Sequence, residues 1–262
     1  PVFSLPTLAQ NVSAPTALGD LDADGCDEVG LRYADNNRSG LLVLFGYAAS
    51  GGRCMGHTQP AWLRLSGDAE VGLANMQLGV ASTRAGRLFG DERELVAISA
   101  NLYPFEGSRQ PTVLLFDGAD LGALRPEHGE RVVSALDPAL EHWPLVYRER
   151  APGFGRALAG NVDADGDGVV DLVVSAPGAS LNGDGTGAVF VFRGQPALGG
   201  RMDPWLSVVG DPRERASFGQ DISAIAATSK SPASVAIGAP LSYRTGTANG
   251  TAWLLQIAAP PE

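Results

Sequence analysis

The sequence predicts an all-β protein assembled from four repeated sheet units, and three features carry that expectation. Glycine (34) and proline (18) are scattered through the 262 residues between short Val, Leu, Ile and Phe runs, the pattern of many strands with frequent turns. Two long segments repeat at a fixed offset: Asp20 and Asp163 open similar acidic stretches, Trp62 and Trp205 sit in similar Trp-Leu strands, and each pair stands 143 positions apart. Inside each segment a second apolar run echoes the first, giving units about 70 residues apart, a period of repeated-sheet architectures.

The first unit, approximately residues 11–70, holds the stretch Gly19-Asp20-Leu21-Asp22-Ala23-Asp24-Gly25, an apolar run around Val29 and the strand containing Trp62. The second, 71–150, keeps the strand pattern through Leu95–Ala100 and carries an insertion, Tyr103-Pro104-Phe105-Glu106-Gly107-Ser108-Arg109, where a partner surface is expected. In the third, 151–215, Phe154-Gly155 is expected to open a first strand, followed by an acidic loop and strands at Leu172–Ser175, Ala188–Phe192 and Trp205–Val209. The fourth, 216–262, retains Phe218-Gly219 and the strands Val235–Ala239 and Thr251–Ile257, then stops without a Trp-Leu strand.

At the same offset of 143, Pro1-Val2-Phe3-Ser4-Leu5 falls on Pro144–Arg148, where the second unit should place its outer strand. Val2–Leu5 is therefore expected to complete the last sheet, residues 1–10 joining the fourth unit in a single domain over 1–262 and removing open sheet edges. The apolar runs are nearly continuous, as in sheets covered on both faces.

Composition narrows the function classes. Apolar residues make up 44% and mean hydropathy is +0.02, which reads as globular, and no apolar run approaches the ~18 residues of a spanning helix. The net charge of −10 argues against nucleic-acid partners, which demand basic surface. Opening on Pro1 without a hydrophobic leader, the sequence is expected to be a processed or trimmed chain. Cys26 and Cys54 permit one bridge, with two independent thiols as the alternative.

Two loops carry the chemistry. Asp20, Asp22, Asp24 and Glu28 in one, and Asp163, Asp165, Asp167 and Asp171 in the other, occupy relative positions 1, 3, 5 and 9. Hard oxygen ligands at this spacing suit Ca²⁺, with Gly25 or Gly168 permitting the tight turn and the backbone carbonyls of Cys26 and Val169 adding to the shell. A helical calcium hand would need Glu at position 12 between two helices. Leu31 and Val174 stand there, and the flanks read as strands. Two structural Ca²⁺ sites are therefore expected. No Gly-x-Ser-x-Gly elbow, His-Glu-x-x-His or phosphate-binding glycine loop is present, so no catalytic residue is nominated and the chain reads as a non-enzyme. Trp62, Trp205 and Trp253 are expected in packing between sheets, and Trp143 is the least regular of the four tryptophans.

Phe154-Gly155, the acidic series Asp163 to Asp171 and Ala176-Pro177-Gly178 together resemble the FG-GAP repeat, the unit of integrin α-chain β-propellers; Phe218-Gly219 with Gly238-Ala239-Pro240 is a weaker copy. The resemblance implies a propeller of four blades, each of four antiparallel strands, with the N-terminal strand completing the last. Family propellers commonly have seven blades, so intramolecular closure stands beside a strand-sharing homodimer and beside a larger propeller of which these four blades are a part. The implied role is an extracellular, cell-surface or periplasmic adhesion or protein-binding module without membrane insertion. A carbohydrate-binding propeller, or an accessory domain of a polysaccharide- or lipid-degrading enzyme, is the alternative.

Overall fold

Successive residues of a strand point to opposite faces, so an uninterrupted apolar run is buried only when a layer covers each side. The computed structural model describes residues 12–35, 38–49, 53–54, 61–67, 76–149, 151–196, 198–213, 216–225, 233–242 and 250–256. The first unit supplies β1 (Val12–Gly19), β2 (Glu28–Asp35), β3 (Arg38–Leu44), a small hairpin of β4 (Ala48–Ala49) and β5 (Arg53–Cys54), and β6 (Ala61–Ser66). The second supplies β7 (Leu78–Gly86), β8 (Leu95–Phe105), β9 (Ser108–Asp117), a one-turn helix α1 (Gly118–Gly122), β10 (Gly129–Ser134) and β11 (His142–Tyr147). The third gives β12 (Leu158–Val162), β13 (Asp171–Ala176), β14 (Ala188–Phe192), β15 (Gly200–Met202) and β16 (Leu206–Val209), and the fourth gives β17 (Asp221–Ile225), β18 (Ser234–Ala239) and β19 (Thr251–Gln256).

Four principal sheets result, with strand orders β1-β2-β3-β6-β10, β7-β8-β9-β11-β15, β12-β13-β14-β16 and β17-β18-β19. The expectation of four antiparallel strands per unit holds for the third sheet and needs correction for the first two. In those, a fifth strand from the following unit runs parallel along the outer edge: β10 beside β6 and β15 beside β11. Both added strands lie in the connection between a unit's third and fourth strands. That connection crosses to the neighbouring sheet and satisfies backbone groups which an edge would leave open. The N-terminal strand expected at Val2–Leu5 lies outside the described residues.

The apolar runs are divided between two layers, residue by residue. In β8, Val96 and Ile98 pack with Leu41, Val43, Leu63 and Leu65 of the first sheet, while Leu95 and Ala97 pack with Leu172 and Val174 of the third. Val173, Val189 and Val191 face Val235 and Ile237 of the fourth sheet in the same way. The sheets thus stack face to face in sequence order. Their first strands converge on one cavity of about 620 Å³, lined by Thr16 of β1, Ser82 of β7, Leu158 of β12 and Ile222 of β17. The arrangement is propeller-like.

Two sequence expectations change on inspection. Phe154-Gly155 does not open a strand; it forms the turn before β12, where Gly155 takes φ +82° and donates its N–H to Ser175 O at 2.9 Å. The positive φ turns the chain, and the Phe154 ring fills the core at 1% exposure. Phe218-Gly219 repeats the device, with Gly219 N donating to Gly238 O at 2.9 Å. The tryptophans are less buried than expected: Trp205 and Trp253 keep 38% and 40% of their surface exposed, Trp205 under the Arg193 guanidinium at 4.4 Å.

Phe190 is fully buried between the second and third sheets and stacks on Tyr147 at 4.4 Å. Phe190→Ala should destabilise the fold by about 3–5 kcal/mol in equilibrium denaturation, whereas a loss under about 1 kcal/mol would deny this core its place.

Candidate metal centres

Each acidic loop joins the first strand of its sheet to the second, and closely similar hydrogen bonds shape both. In the first, Asp20 accepts from Asp24 N at 3.1 Å and from Gly25 N at 2.9 Å, and Asp24 accepts from Cys26 N at 2.9 Å. In the third-unit loop, Asp163 accepts from Gly166 N at 2.7 Å and Gly168 N at 3.0 Å, and Asp167 accepts from Val169 N at 2.8 Å. Gly25 and Gly168 adopt φ of +91° and +88°, so the tight turn read from the sequence uses the left-handed conformation that glycine tolerates.

The acid at position 9 lies deepest. Glu28 is fully buried and accepts from Leu21 N at 2.6 Å and Gly46 N at 3.0 Å, tying the loop to the chain leaving β3. Asp171 is likewise fully buried, accepting from Ala164 N at 2.8 Å and Gly194 N at 3.0 Å. Burial pushes the Glu28 carboxyl up from an ordinary 4.5 to about 7 and Asp171 from 3.8 to about 6, against the opposing pull of these N–H donors.

Carboxylate oxygens of Asp20, Asp22 and Glu28 lie within 4.8 Å of one another, as do those of Asp163, Asp165 and Asp171. Asp24 and Asp167, expected as ligands, turn toward the backbone of Cys26 and Val169 and fix the peptide at position 7. Two unit charges 4 Å apart repel by about 4 kcal/mol at an effective dielectric of ~20, so each cluster favours a compensating cation. The residues fit one: Asp165 Oδ2 is buried and accepts no hydrogen bond, although Arg193 forms an ion pair with it. Both clusters are therefore able to hold a divalent cation.

Three features escaped the sequence reading. Arg125, just after α1 in the second unit, forms ion pairs with Asp22 and, at 3.1 Å, with Asp24, tying the first loop to the next unit. Arg193, just after β14 of the same unit, forms an ion pair with Asp165. The second unit, without an acidic series, still has Glu94 immediately before β8; Arg84 reaches it at 2.9 Å and Arg87 at 3.4 Å, guanidinium standing where the other loops gather acids. A residue 103 positions away leaves no local signal, whereas Glu94 could have been found by aligning it with Asp171.

The choice left open for the cysteines is resolved. Cys26 and Cys54 form a disulfide with a Cα–Cα distance of 5.4 Å, clipping the β4–β5 hairpin onto the first acidic loop.

The raised carboxyls set a pH dependence. A folded-state pKa above its unfolded value stabilises the protonated form, so this contribution is full below about pH 4 and is lost as pH rises through 6–7. In chelator, the melting temperature should therefore fall between pH 5 and 8, and Ca²⁺ should raise it more at pH 8 than at pH 5, because ligands must be ionised. A metal-induced shift that is the same at both pH values would contradict carboxylate ligation by these two residues.

Comparison with known proteins places these features. The FG-GAP repeat model matches residues 154–192, from the Phe-Gly turn through the third-unit acidic loop to the end of β14. Mouse integrin alpha-M is 32% identical over 123 residues, 47% of this chain and 9% of that protein. Human integrin alpha-D is 35% identical over 106 residues, covering 40% of the chain and 8% of its own length. Mouse integrin alpha-X is 29% identical over 166 residues, 62% of the chain and 12% of that protein. The chain thus spans only about a tenth of the length of the relatives it matches.

Proposed function

From the premise that this chain carries an FG-GAP repeat and is similar to integrin α chains, we propose that it is a calcium-stabilised adhesion or protein-binding module without catalytic activity. The observation that carries the reading is the recurrence, 143 residues apart, of one loop geometry built on a buried acid, with a second and third carboxylate within 4.8 Å. Asp20, Asp22, Asp24, Glu28 and the Cys26 carbonyl hold one Ca²⁺; Asp163, Asp165, Asp167, Asp171 and the Val169 carbonyl hold the other. Calcium suits such loops because it takes six to eight oxygens in adaptable geometry. Each ion displaces the arginine lying on its loop and fastens the first two strands of a sheet.

The four sheets act as blades of one domain over residues 1–262, closed within the chain by Val2–Leu5 beside β19. Exposed apolar side chains on the two outermost faces support closure: Val29 of the first sheet is 39% exposed, and Ile225 and Leu254 of the fourth are 52% and 59% exposed. Burying them against each other removes apolar surface from water. A location outside the cytoplasm is supported by the disulfide, which persists in oxidising surroundings, and by loops of a kind that would fill at about 10⁻⁴–10⁻³ M calcium. Among the described residues no helix is long and apolar enough to cross a membrane.

Two measurements test this reading. Chelation at neutral pH should lower the melting temperature by several degrees and millimolar Ca²⁺ should restore it; an unchanged transition would remove the metal from the account. Deleting residues 1–10 should lower the melting temperature of a protein that sediments as a monomer. A dimeric mass for the intact chain that falls to monomer on the deletion would instead establish strand exchange between copies.

A further inference from the structure

Each acidic loop carries the same three parts: a series of carboxylates, one guanidinium laid against them, and an aromatic ring beside that guanidinium. On the first loop, Arg125 forms ion pairs with Asp22 and, at 3.1 Å, with Asp24, and its guanidinium lies 5.6 Å from the centre of the Phe45 ring. On the third-unit loop, Arg193 forms an ion pair with Asp165, and its guanidinium lies 4.4 Å from the centre of the Trp205 ring. The two arginines come from different places in the fold. Arg125 follows α1 in the neighbouring unit and Arg193 follows β14 in the loop's own unit, so a shared local sequence does not account for the recurrence.

The carboxylates that the arginines hold are ones that a cation needs. Asp22 clusters with Asp20 and Glu28, and Asp165 with Asp163 and Asp171, each group with its oxygens within 4.8 Å of one another. A metal ion on those oxygens stands only a few ångströms from the guanidinium. A divalent and a monovalent cation at that range repel strongly enough to change an affinity by more than about tenfold. The ring gives the guanidinium a second seat, because cation–π attraction keeps it beside the loop once the carboxylate has turned to the metal. In the second unit the balance is reversed: two arginines, Arg84 and Arg87, meet Glu94, and among the described residues no acidic cluster forms there.

We propose that Arg125 and Arg193 are intramolecular counter-ions that compete with the metal and set the calcium affinity of the two loops. The inference rests on the calcium reading of the loops and names what tunes them. Ligand charge is one of the quantities that fix a calcium site's affinity, so one positive charge held against each acidic series raises the calcium concentration at which that loop fills. The same ion pair gives back part of the attraction that a metal supplies, which holds the loop together at low calcium. Each arginine thus acts in two opposed directions, stabilising the chain in chelator and weakening its hold on calcium.

Calorimetric titration of the full chain with CaCl₂, one loop at a time, tests this. Arg193→Gln and Arg193→Lys are made in an Asp20→Asn/Asp22→Asn parent, which keeps the third-unit loop, and Arg125→Gln and Arg125→Lys in an Asp163→Asn/Asp165→Asn parent. Exposed Arg213→Gln serves as the control in both. Each Gln variant is expected to bind calcium at least about tenfold more tightly than its parent, each Lys variant, which keeps the charge, within about threefold of it, and the control with no change. In chelator the Gln variants should melt below their parents. An arginine with a purely structural role would lower the melting temperature without tightening calcium. The Arg193 side chain is 42% exposed, so the test stands on that loop even where Arg125→Gln fails to fold. Gln variants that bind calcium no more tightly than their parents would overturn the inference and leave the calcium reading standing, whereas no heat of binding in any of these proteins, parents included, would overturn both.

Discussion

The structure depends on a buried carboxylate at the start of each acid-bearing sheet's second strand. Glu28 and Asp171 are fully buried, and each joins two backbone N–H groups from chain segments that would otherwise only meet at a sheet corner. A carboxylate held this way costs desolvation free energy that two N–H donors offset only in part, as the upward displacement of both pKa values records. The neighbouring aspartates make the shortfall worse while supplying ligands for a remedy. A divalent cation would turn repulsion among them into coordination.

The other repeats meet the same constraint differently. Glu94 keeps the carboxylate of the second unit, but it is half-exposed and compensated by Arg84 and Arg87. In the fourth unit the corresponding position, before Val235, is Ser234, a buried neutral side chain that needs no counter-charge. Alternate units thus carry acidic clusters, and the junctions between them carry arginines: Arg125 reaches from the second unit onto the first loop. One end of the sheets is given to holding the frame together, while the opposite end carries the turn of the long β8–β9 hairpin.

Much of this was legible in the sequence, and the reasons are local. Strand existence followed from runs such as Leu172–Ser175 and Ala188–Phe192, because a strand buried on both faces has no polar alternation to disguise it. The gathering of the carboxylates is legible in short-range spacing: Asp20, Asp22 and Glu28, like Asp163, Asp165 and Asp171, do come together. Pairings between units left no such trace. The parallel strands β10 and β15 have intermediate to exposed side chains and weak apolar character, so nothing marks them as strands until a neighbouring edge accepts them. The turn conformation of Phe154-Gly155 is not legible in the sequence because an apolar ring beside glycine reads equally as a strand start or a core plug. Arg125 and the Cys26–Cys54 bridge depend on tertiary contact, which spacing alone does not specify.

The most direct measurement is calorimetric titration of chelator-stripped protein with CaCl₂, repeated on Asp163→Asn/Asp165→Asn and on Asp20→Asn/Asp22→Asn. The account predicts two ions per chain for the native sequence and one for either double variant. Saturating millimolar Ca²⁺ without heat of binding, or an unchanged stoichiometry in both variants, would contradict it.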